Sequence, residues 1–365
     1  MSAPAFSVEQ LVRPDILSME EYQPVVPLDV LSIELGIPQE RLVKLDANEN
    51  PYGAPLAVRE ALARCDTLHI YPDPMQNRLR DALSAHLGIS RDVILAGAGS
   101  DELIDLIMRL VLRPGDSIIN CPPTFGMYAF DAALHGATVV SAPRDDGFRL
   151  DLAGIERAAI ASRARLLFLA SPNNPDGSMI KPDELERLLR LPLLVVLDEA
   201  YAEFAPANYT DWPLRHKNLI CLRTFSKWAG LAGVRVGYGV FPAALMPHLW
   251  KIKQPYNINI AAQVAAIAAL QAAPQIMRTV QAIVAERGRL MDGLHRIAWL
   301  RPYPSQANFI LCRVLGRPAL EVKLALRRQG ILIRHFDKPG VADCVRFSVG
   351  RPEQTDALLT ALQRL

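Results

Sequence analysis

A lysine, an arginine and two hydroxyl residues lie in one short stretch of this 365-residue chain. The stretch reads TFSKWAGLAGVRVGY, residues 224–238, in which Lys227 directly follows Ser226 and Arg235 comes eight positions later. Hydroxyls and a guanidinium are donors that suit a phosphate, and a lysine whose pKa is lowered by burial and by a neighbouring cation can act as a nucleophile. The stretch therefore indicates an anion site beside a reactive amine.

Polar residues follow three apolar runs of the chain, at the point where each run ends. The runs and their continuations are ARLLFLA into SPNNPDG (164–177), LLVVL into DEAY (193–201) and NLICL into RTFSK (218–227). Short apolar runs between helical patterns are typical of parallel strands covered on both faces, and ligands bind at the carboxyl ends of such strands. Each polar residue alone has an ordinary explanation as a turn, cap or packing residue. Together they predict one site that contains Asn174, Asp198, Tyr201 and Lys227.

The elements needed to position that site are an α/β sheet followed by a smaller α+β region. Helical patterns at 78–88 and 101–112 alternate with strand patterns as far as residue 240. Long alanine-rich helices begin near 258, and strands and helices of a second unit follow them. We predict an N-terminal arm over residues 1–50 that forms part of the small domain, a large domain over 51–258, and a small C-terminal domain over 259–365.

Composition narrows the possible partners. The formal net charge is +2, which favours neither nucleic acid nor an acidic membrane surface. Five scattered cysteines without a CxxC pair argue against a zinc site or a disulfide framework and fit a reducing compartment. The first residues lack a secretory pattern, and no apolar run is as long as a membrane span. We expect a cytoplasmic protein that acts on a small molecule and has no metal.

The residue types at the strand ends match what pyridoxal phosphate requires. That cofactor needs a lysine amine for an imine link, a carboxylate beside its ring nitrogen, donors for its phenolic oxygen and a site for its phosphate. GAGSDE, residues 97–102, opens a predicted helix whose backbone amides could bind the phosphate. The same segment lacks the third glycine of a dinucleotide fingerprint, which argues against a nicotinamide-dependent oxidoreductase.

These motifs carry a family resemblance. NPDG, DEAY and SK, with an arginine eight residues after the lysine, resemble the fold-type I pyridoxal phosphate aminotransferases. LDANENPYG (45–53), YPDP (71–74), GAGSDELIDL (97–106), PPTFGMY (122–128) and ANFIL (307–311) are similar to segments of the histidinol-phosphate aminotransferase family. The resemblance implies a large domain with a mostly parallel seven-stranded sheet, a smaller α+β domain, and a homodimer that shares its active sites. Asp176 departs from the family's commoner threonine, and we expect it to shape the turn.

The resemblance also assigns roles. Lys227 would bond to the cofactor aldehyde and shuttle the substrate proton, with Asp198 facing the ring nitrogen and Tyr128 stacked on the ring. Asn174 and Tyr201 would hydrogen-bond the phenolic oxygen. The phosphate would be held by Thr224, Ser226, Arg235, the backbone amides of Ser100, Asp101 and Glu102, and Tyr71 of the other subunit.

The substrate side is implied by a second set of residues, Asn48, Arg334 and Arg346. Arg346 would bind the carboxylate of glutamate or the phosphate of histidinol phosphate in the two halves of a reversible ping-pong transamination. Arg334 would assist with the phosphate, and Asn48 would lie over the substrate side. Rival activities stay open at this stage. They are transamination of aromatic amino acids, decarboxylation of threonine phosphate, and a regulatory role, for which the arm before the fold is too short to carry a DNA-binding domain.

Overall fold

The computed structural model describes residues 7–17, 19 and 26–365. The strands, numbered in chain order, are β1 Val43–Leu45, β2 Ile94–Gly97, β3 Ser117–Asn120, β4 Thr138–Ser141, β5 Leu166–Ala170, β6 Leu194–Asp198, β7 Leu219–Thr224, β8 Gly237–Val240, β9 Leu300–Pro302, β10 Phe309–Val314, β11 Ile331–His335 and β12 Cys344–Ser348. The helices are α1 Pro14–Leu17, α2 Leu28–Leu35, α3 Leu56–Ala63, α4 Asn77–Leu87, α5 Ser100–Val111, α6 Met127–Leu134, α7 Leu152–Ser162, α8 Pro182–Leu188, α9 Met246–Ile252, α10 Ile260–Gln271, α11 Ala273–His295, α12 Ala319–Arg328 and α13 Pro352–Gln363. Short 3-10 helices cover Val8–Leu11, Gln39–Arg41, Arg91–Val93, Ala202–Phe204, Trp212–Leu214, Ala232–Val234 and Ala243–Leu245.

A seven-stranded sheet in the order β2-β8-β7-β6-β5-β3-β4 forms the centre of the larger part. Every pairing from β7 to β4 is parallel, and β8 runs antiparallel to both of its neighbours. All residues of β5 are buried because helices cover both faces of the sheet, which is why that strand is apolar without alternation. The predicted α/β fold with a mostly parallel seven-stranded sheet is confirmed.

The second sheet has five strands in the order β1-β11-β12-β10-β9. β1 comes from the N-terminal part of the chain and pairs in parallel with β11. The other pairings in this sheet are antiparallel. The segment after β1 therefore starts from the small sheet and leads directly to the large one, so the chain crosses between the two sheets near residues 46–54.

Two consecutive helices connect the halves of the molecule. α10 is buried along most of its length and packs against α3 and α4, where its alanines allow close approach. α11 extends from Ala273 to His295 and packs against β9, β10 and α13 of the small sheet's side. The domain limits at residues 50 and 258 stay a prediction.

Within residues 7–17, 19 and 26–365, no single helix is long and apolar enough to cross a membrane. One pair of helices, α10 with α11, passes by length and composition, but it is bent by 79°.

Candidate functional site

Three neighbouring strands deliver the predicted residues to one edge of the large sheet. β5, β6 and β7 are adjacent and parallel, with Ala170 opposite Asp198 and Asp198 opposite Leu222. The loops that follow these strands therefore leave the sheet at the same end. This brings together Asn174, Asp198, Tyr201 and Lys227, as the sequence predicts.

Lys227 lies in the loop after β7 with its amine directed at the segment that links the two sheets. Its Nζ donates to the Ala47 carbonyl at 3.0 Å and lies 5.9 Å from the ring centroid of Tyr201. Burial lowers the pKa of Lys227 to about 8, and the nearby positive charge of Arg346 acts in the same direction. A larger fraction of this amine is therefore unprotonated near neutral pH than of an exposed lysine.

Asp198 ends β6 and is buried. Burial raises the pKa of Asp198 to about 6, and hydrogen bonds from the Tyr128 hydroxyl and the Ala200 amide oppose that rise. The Tyr128 ring packs nearly parallel to Phe168, with 5.0 Å between ring centroids. Because two donors hold this buried carboxylate in place, it can accept a hydrogen bond from a protonated ring nitrogen without changing its position.

The expected anion site combines hydroxyls, a helix start and a guanidinium. The Thr224 and Ser226 hydroxyl oxygens are 3.0 Å apart, and Ser226 N donates to Thr224 Oγ1. Arg235 has a φ of 57° and is exposed, and its Nη2 contacts Asp101 Oδ2 at 2.8 Å. The backbone amides of α5 begin at Ser100, next to these groups.

Close backbone approach at this position depends on glycine. Gly99 precedes α5 with a φ of 83°, and a Cβ atom there would lie 2.7 Å from Arg235 Nη2. A Cβ at Gly237 would lie 2.6 Å from Ser100 N. Any side chain at either position would fill the space beside the helix start, so the sequence keeps this surface open.

Glu102 has a different environment from its neighbours in the motif. Its Oε2 accepts hydrogen bonds from the Ala98 amide at 2.6 Å and from Asn257 Nδ2 at 2.9 Å. The side chain thereby fixes the loop that enters α5. The predicted role of the Glu102 backbone amide in phosphate binding stays a prediction.

Asn174 and Tyr201 each accept a hydrogen bond from another predicted site residue. Arg346 Nη1 donates to Asn174 Oδ1 at 2.5 Å, and its Nη2 donates to the Asp46 carbonyl at 2.8 Å. The Tyr201 hydroxyl is 3.0 Å from Asn48 Nδ2. Residues from both sheets and from the linking segment therefore meet beside the lysine.

The two predicted substrate arginines are direct partners across the small sheet. Arg334 on β11 lies opposite Arg346 on β12, and both guanidinium groups approach the Phe336 ring, at 5.9 and 5.4 Å from its centroid. No acidic residue among those described forms an ion pair with Arg334. Two adjacent cations with one aromatic neighbour form a surface suited to an anionic substrate.

Tyr71 is the most exposed of the predicted site residues, at 78%. Its ring stacks on Tyr256 with 4.5 Å between centroids. The adjoining groove is lined by residues of α10 and of the segment before α4. The structure gives Tyr71 no hydrogen bond to the other predicted site residues of its own chain.

Sequence reasoning missed a buried charge network on the other face of the same strand ends. Arg223 Nη2 contacts Glu203 Oε1 at 2.7 Å, and its Nη1 lies 3.7 Å from Glu199 Oε2 and donates to the Thr210 hydroxyl. Thr210 in turn donates to Glu199 at 2.6 Å. The sequence does contain a signal for this network, because successive side chains of a strand point to opposite faces. Glu199 and Arg223 are the direct neighbours of Asp198 and Thr224 and therefore point away from the predicted site.

Two further residues, Ser348 and Asn308, also escaped prediction. Both contact Asn48 although they are far from it in the sequence. Asp176 behaves as expected, since it accepts from Asn173 Nδ2 and from the Ser178 amide and so shapes the turn after β5. Trp228 is buried against Phe225 and packs in the core.

The arrangement fits pyridoxal phosphate. An amine with a lowered pKa, a buried carboxylate, a tyrosine hydroxyl and the side-chain amide of Asn174, whose Nδ2 is a donor, converge at the strand ends. Beside them, glycines keep a helix start and a guanidinium accessible. These are the groups that bind an aldehyde, a pyridine nitrogen, a phenolic oxygen and a phosphate, respectively.

Comparison with known proteins supports the same assignment. The chain matches the family described as aminotransferase class I and II over residues 40–362. It is 52% identical to the histidinol-phosphate aminotransferase of Roseiflexus castenholzii, covering 98% of this chain and 99% of that one. It is 48% identical to histidinol-phosphate aminotransferase 1, chloroplastic, of Arabidopsis thaliana, over 98% of this chain and 86% of that protein.

A solved structure is similar over almost the full length. The crystal structure of histidinol-phosphate aminotransferase from Sinorhizobium meliloti in complex with pyridoxal 5'-phosphate superposes with a TM-score of 0.88 at 30% identity, covering 99% of this chain and 98% of that chain. The chain belongs to the class I and II aminotransferases and, within them, to the histidinol-phosphate aminotransferase family.

Proposed function

We propose that the protein is a pyridoxal phosphate-dependent transaminase that converts L-histidinol phosphate and 2-oxoglutarate to imidazole-acetol phosphate and L-glutamate, a reversible step of histidine biosynthesis. The observation that carries the proposal is the position of Arg346. Its guanidinium contacts Asn174 of the large sheet and lies beside Arg334 of the small one, while its charge acts on Lys227. An anionic substrate bound there would place its amino group near the lysine.

Each site residue has a separate role in the proposed reaction. When bound, the cofactor supplies an aldehyde for the amine and a ring that accepts electrons from the substrate carbon. Lys227 moves the substrate proton, for which a pKa of about 8 is close to the working range. Asp198 would hold the ring nitrogen, and the Arg223 network keeps the ends of β6 and β7 in place.

One anion site has to serve both half-reactions. Glutamate presents a carboxylate on its reacting carbon, whereas histidinol phosphate presents a phosphate and has no carboxylate there. We assign both anions to Arg346 with help from Arg334. A guanidinium suits this duty because its planar donors fit either oxyanion in a two-point contact.

We further propose that the protein acts as a homodimer in the cytoplasm. Support comes from the exposed apolar side chains that surround Tyr71, namely Leu68, Ile70, Met75 and Tyr256. A surface patch of that kind is typical of an interface between subunits. Tyr71 of one subunit would then reach the phosphate in the site of the other.

The half-reaction with single substrates tests the function directly. The cofactor-loaded enzyme is mixed in turn with L-histidinol phosphate, histidinol, phenylalanine and threonine phosphate, and loss of the visible absorption band is followed. We expect histidinol phosphate to react fastest and histidinol far more slowly, because histidinol lacks the anion. A fastest reaction with phenylalanine, or release of carbon dioxide from threonine phosphate, would refute the proposed substrate.

Lys227→Ala provides the matching negative control. The variant retains the arginines and the phosphate site but has no amine for the aldehyde or for the proton. We expect it to bind the cofactor without a covalent bond and to show no turnover. Arg334→Ala is the complementary variant, since it should impair histidinol phosphate while leaving the covalent bond intact.

A further inference from the structure

Asn48 has an unusual backbone conformation and is buried beside the lysine. Its φ is 55°, in the left-handed region that few residues other than glycine and asparagine adopt. Asn308 Nδ2 donates to its carbonyl at 2.9 Å, and its own amide donates to Ser348 Oγ at 2.9 Å. The small sheet therefore holds this residue from two places, the residue just before β10 and the end of β12.

The contacts with Ser348 decide which way the Asn48 side chain points. Ser348 Oγ accepts from the Asn48 amide and is also 2.9 Å from Asn48 Oδ1. A carboxamide oxygen cannot donate, so the serine proton is used in this second bond. Oδ1 thus faces Ser348, and Nδ2 faces the Tyr201 hydroxyl at 3.0 Å.

This orientation fixes the role of the tyrosine. Nδ2 has only protons to offer, so the Tyr201 oxygen is the acceptor and its own proton is directed elsewhere. Within the described residues, none accepts a hydrogen bond from that hydroxyl. Ser348 thus donates to Asn48, and Asn48 donates to Tyr201, which lies beside Lys227.

We propose that Asn48, oriented by Ser348, is a positioning residue that makes the Tyr201 hydroxyl donate to the phenolic oxygen of the cofactor; this rests on the cofactor assigned under the proposed function. Donation from Asn48 polarises the hydroxyl and strengthens its forward bond. Burial raises the pKa of Tyr201, and Arg346 together with the bond from Asn48 opposes that rise.

The proposal connects substrate binding to the cofactor. Ser348 follows Arg346 by two residues on β12, so both side chains lie on the same face of that strand. Arg346 also donates to the Asp46 carbonyl, two residues before Asn48, so movement of the arginine toward an anion would reach Asn48 through the backbone. The resemblance places Asn48 on the substrate side, which stays a prediction, and its carboxamide contacts both Ser348 and Tyr201.

The test uses the cofactor-loaded enzyme without substrate. The visible absorption band is titrated with pH in the parent, Asn48→Gly, Tyr201→Phe and the double variant. Glycine adopts a φ of 55° without strain, so Asn48→Gly keeps the backbone. A donor to the phenolic oxygen stabilises the anion of that oxygen, which lowers the pH midpoint of the absorption titration. Because loss of Asn48 weakens donation by Tyr201, we expect Asn48→Gly to raise the midpoint by about half a pH unit to one pH unit.

The double variant separates positioning from packing. If Asn48 acts through the tyrosine, its replacement changes nothing further once the hydroxyl is gone, and the double variant titrates like Tyr201→Phe. An equal shift in both backgrounds would overturn the proposal. So would an unchanged midpoint in Asn48→Gly.

Ser348→Ala gives an independent check that leaves Asn48 in place. Without the serine hydroxyl, the side-chain carboxamide of Asn48 is free to rotate. We therefore expect the midpoint to rise as in Asn48→Gly. Ser305→Ala is the matched control, because Ser305 is another buried serine, whose oxygen accepts from the Ala307 amide. A protein with no visible band after loading would refute the assigned cofactor, whereas a band with unchanged midpoints in both variants overturns this inference alone.

Discussion

The Tyr128 hydroxyl donates a hydrogen bond of 2.7 Å to Oδ2 of Asp198, and both side chains are buried. The family resemblance assigns these residues separate contacts with the cofactor. The structure adds a direct link between them. Because burial raises the pKa of Asp198 to about 6, the donor from Tyr128 is what helps keep this carboxyl ionised near neutral pH.

Tyr128→Phe is expected to weaken that ionisation. Loss of the donor raises the pKa of Asp198 further, so the acidic limb of the kcat profile moves to higher pH. The measurement is kcat for histidinol phosphate between pH 5 and 9. Tyr209→Phe is the control, since Tyr209 is a buried tyrosine whose hydroxyl donates to the Ile180 carbonyl. An acidic limb that stays in place in Tyr128→Phe would contradict the assigned role.

Gly99→Ala is expected to weaken cofactor binding. A Cβ at this position would lie 2.7 Å from Arg235 Nη2, and the φ of 83° is strained for any other residue. The Cβ would displace the Arg235 guanidinium from the phosphate site, and loss of one hydrogen bond to a charged group costs about 1.5–3 kcal/mol, which corresponds to roughly tenfold or more in the Kd for pyridoxal phosphate.

Gly126→Ala is the matched control for that measurement. Gly126 has a φ of −65°, and a Cβ there meets no atom within 4 Å. Its Kd, obtained by fluorescence titration of the apoprotein, should equal that of the parent. Equal values for Gly99→Ala and the parent would show that the space beside Arg235 is not used.

The sequence predicts the strand ends well because the relevant signals are local. The apolar runs of β5, β6 and β7 are unbroken, and each leads directly into its polar residues. β2 and β8 were not predicted, since Ile94–Gly97 and Gly237–Val240 are short and glycine-containing. Glycine is depleted in strands, so only pairing with their neighbours defines them.

Contacts between the two sheets could not be predicted from spacing. Asn48 and Ser348 are 300 positions apart, and Arg346 is 172 positions from Asn174. No periodicity connects such residues, because their proximity follows from how the chain crosses between sheets. The resemblance supplied the residues of the cofactor site, but the orientation of Asn48 required the geometry.

Arg346→Lys tests the shared anion site. Lysine keeps the charge but loses the two-point contact, so we expect KM to rise about tenfold or more for both histidinol phosphate and glutamate. Arg313→Lys is the control, because Arg313 lies on β10 of the same sheet and forms its ion pair with Asp343. A rise for only one of the two amino donors in Arg346→Lys, or in Arg346→Ala, would refute the dual role.

Ile70→Glu tests the proposed dimer. Ile70 is an exposed apolar residue next to Tyr71, and a charge there would have to be desolvated in an interface. We expect sedimentation velocity to show monomers, with reduced cofactor affinity because Tyr71 no longer reaches the other subunit. Ile160→Glu is the control, since Ile160 is also an exposed isoleucine, on α7 and away from Tyr71 in the sequence. A dimeric Ile70→Glu would place the interface elsewhere.

Asp131 is a buried acid that the proposed chemistry does not use. It lies on α6 and faces two carboxylates of α5, Asp105 and Asp101. Burial, followed by these two charges, raises the pKa of Asp131 to about 7. The folded protein therefore binds a proton there that the unfolded chain, with an aspartate pKa of about 3.9, has released.

The pH dependence of stability follows from that difference. The contribution of Asp131 is fully present below pH 4 and is lost as the pH rises through about 7. Asparagine keeps the shape without the charge, so Asp131→Asn should be more stable than the parent by about 1–2 kcal/mol at pH 8 and by less at pH 5. Urea unfolding at both pH values measures this, with Asp292→Asn as an exposed control. A parent more stable than Asp131→Asn at pH 8 would mean that the carboxylate has a favourable partner in the folded protein.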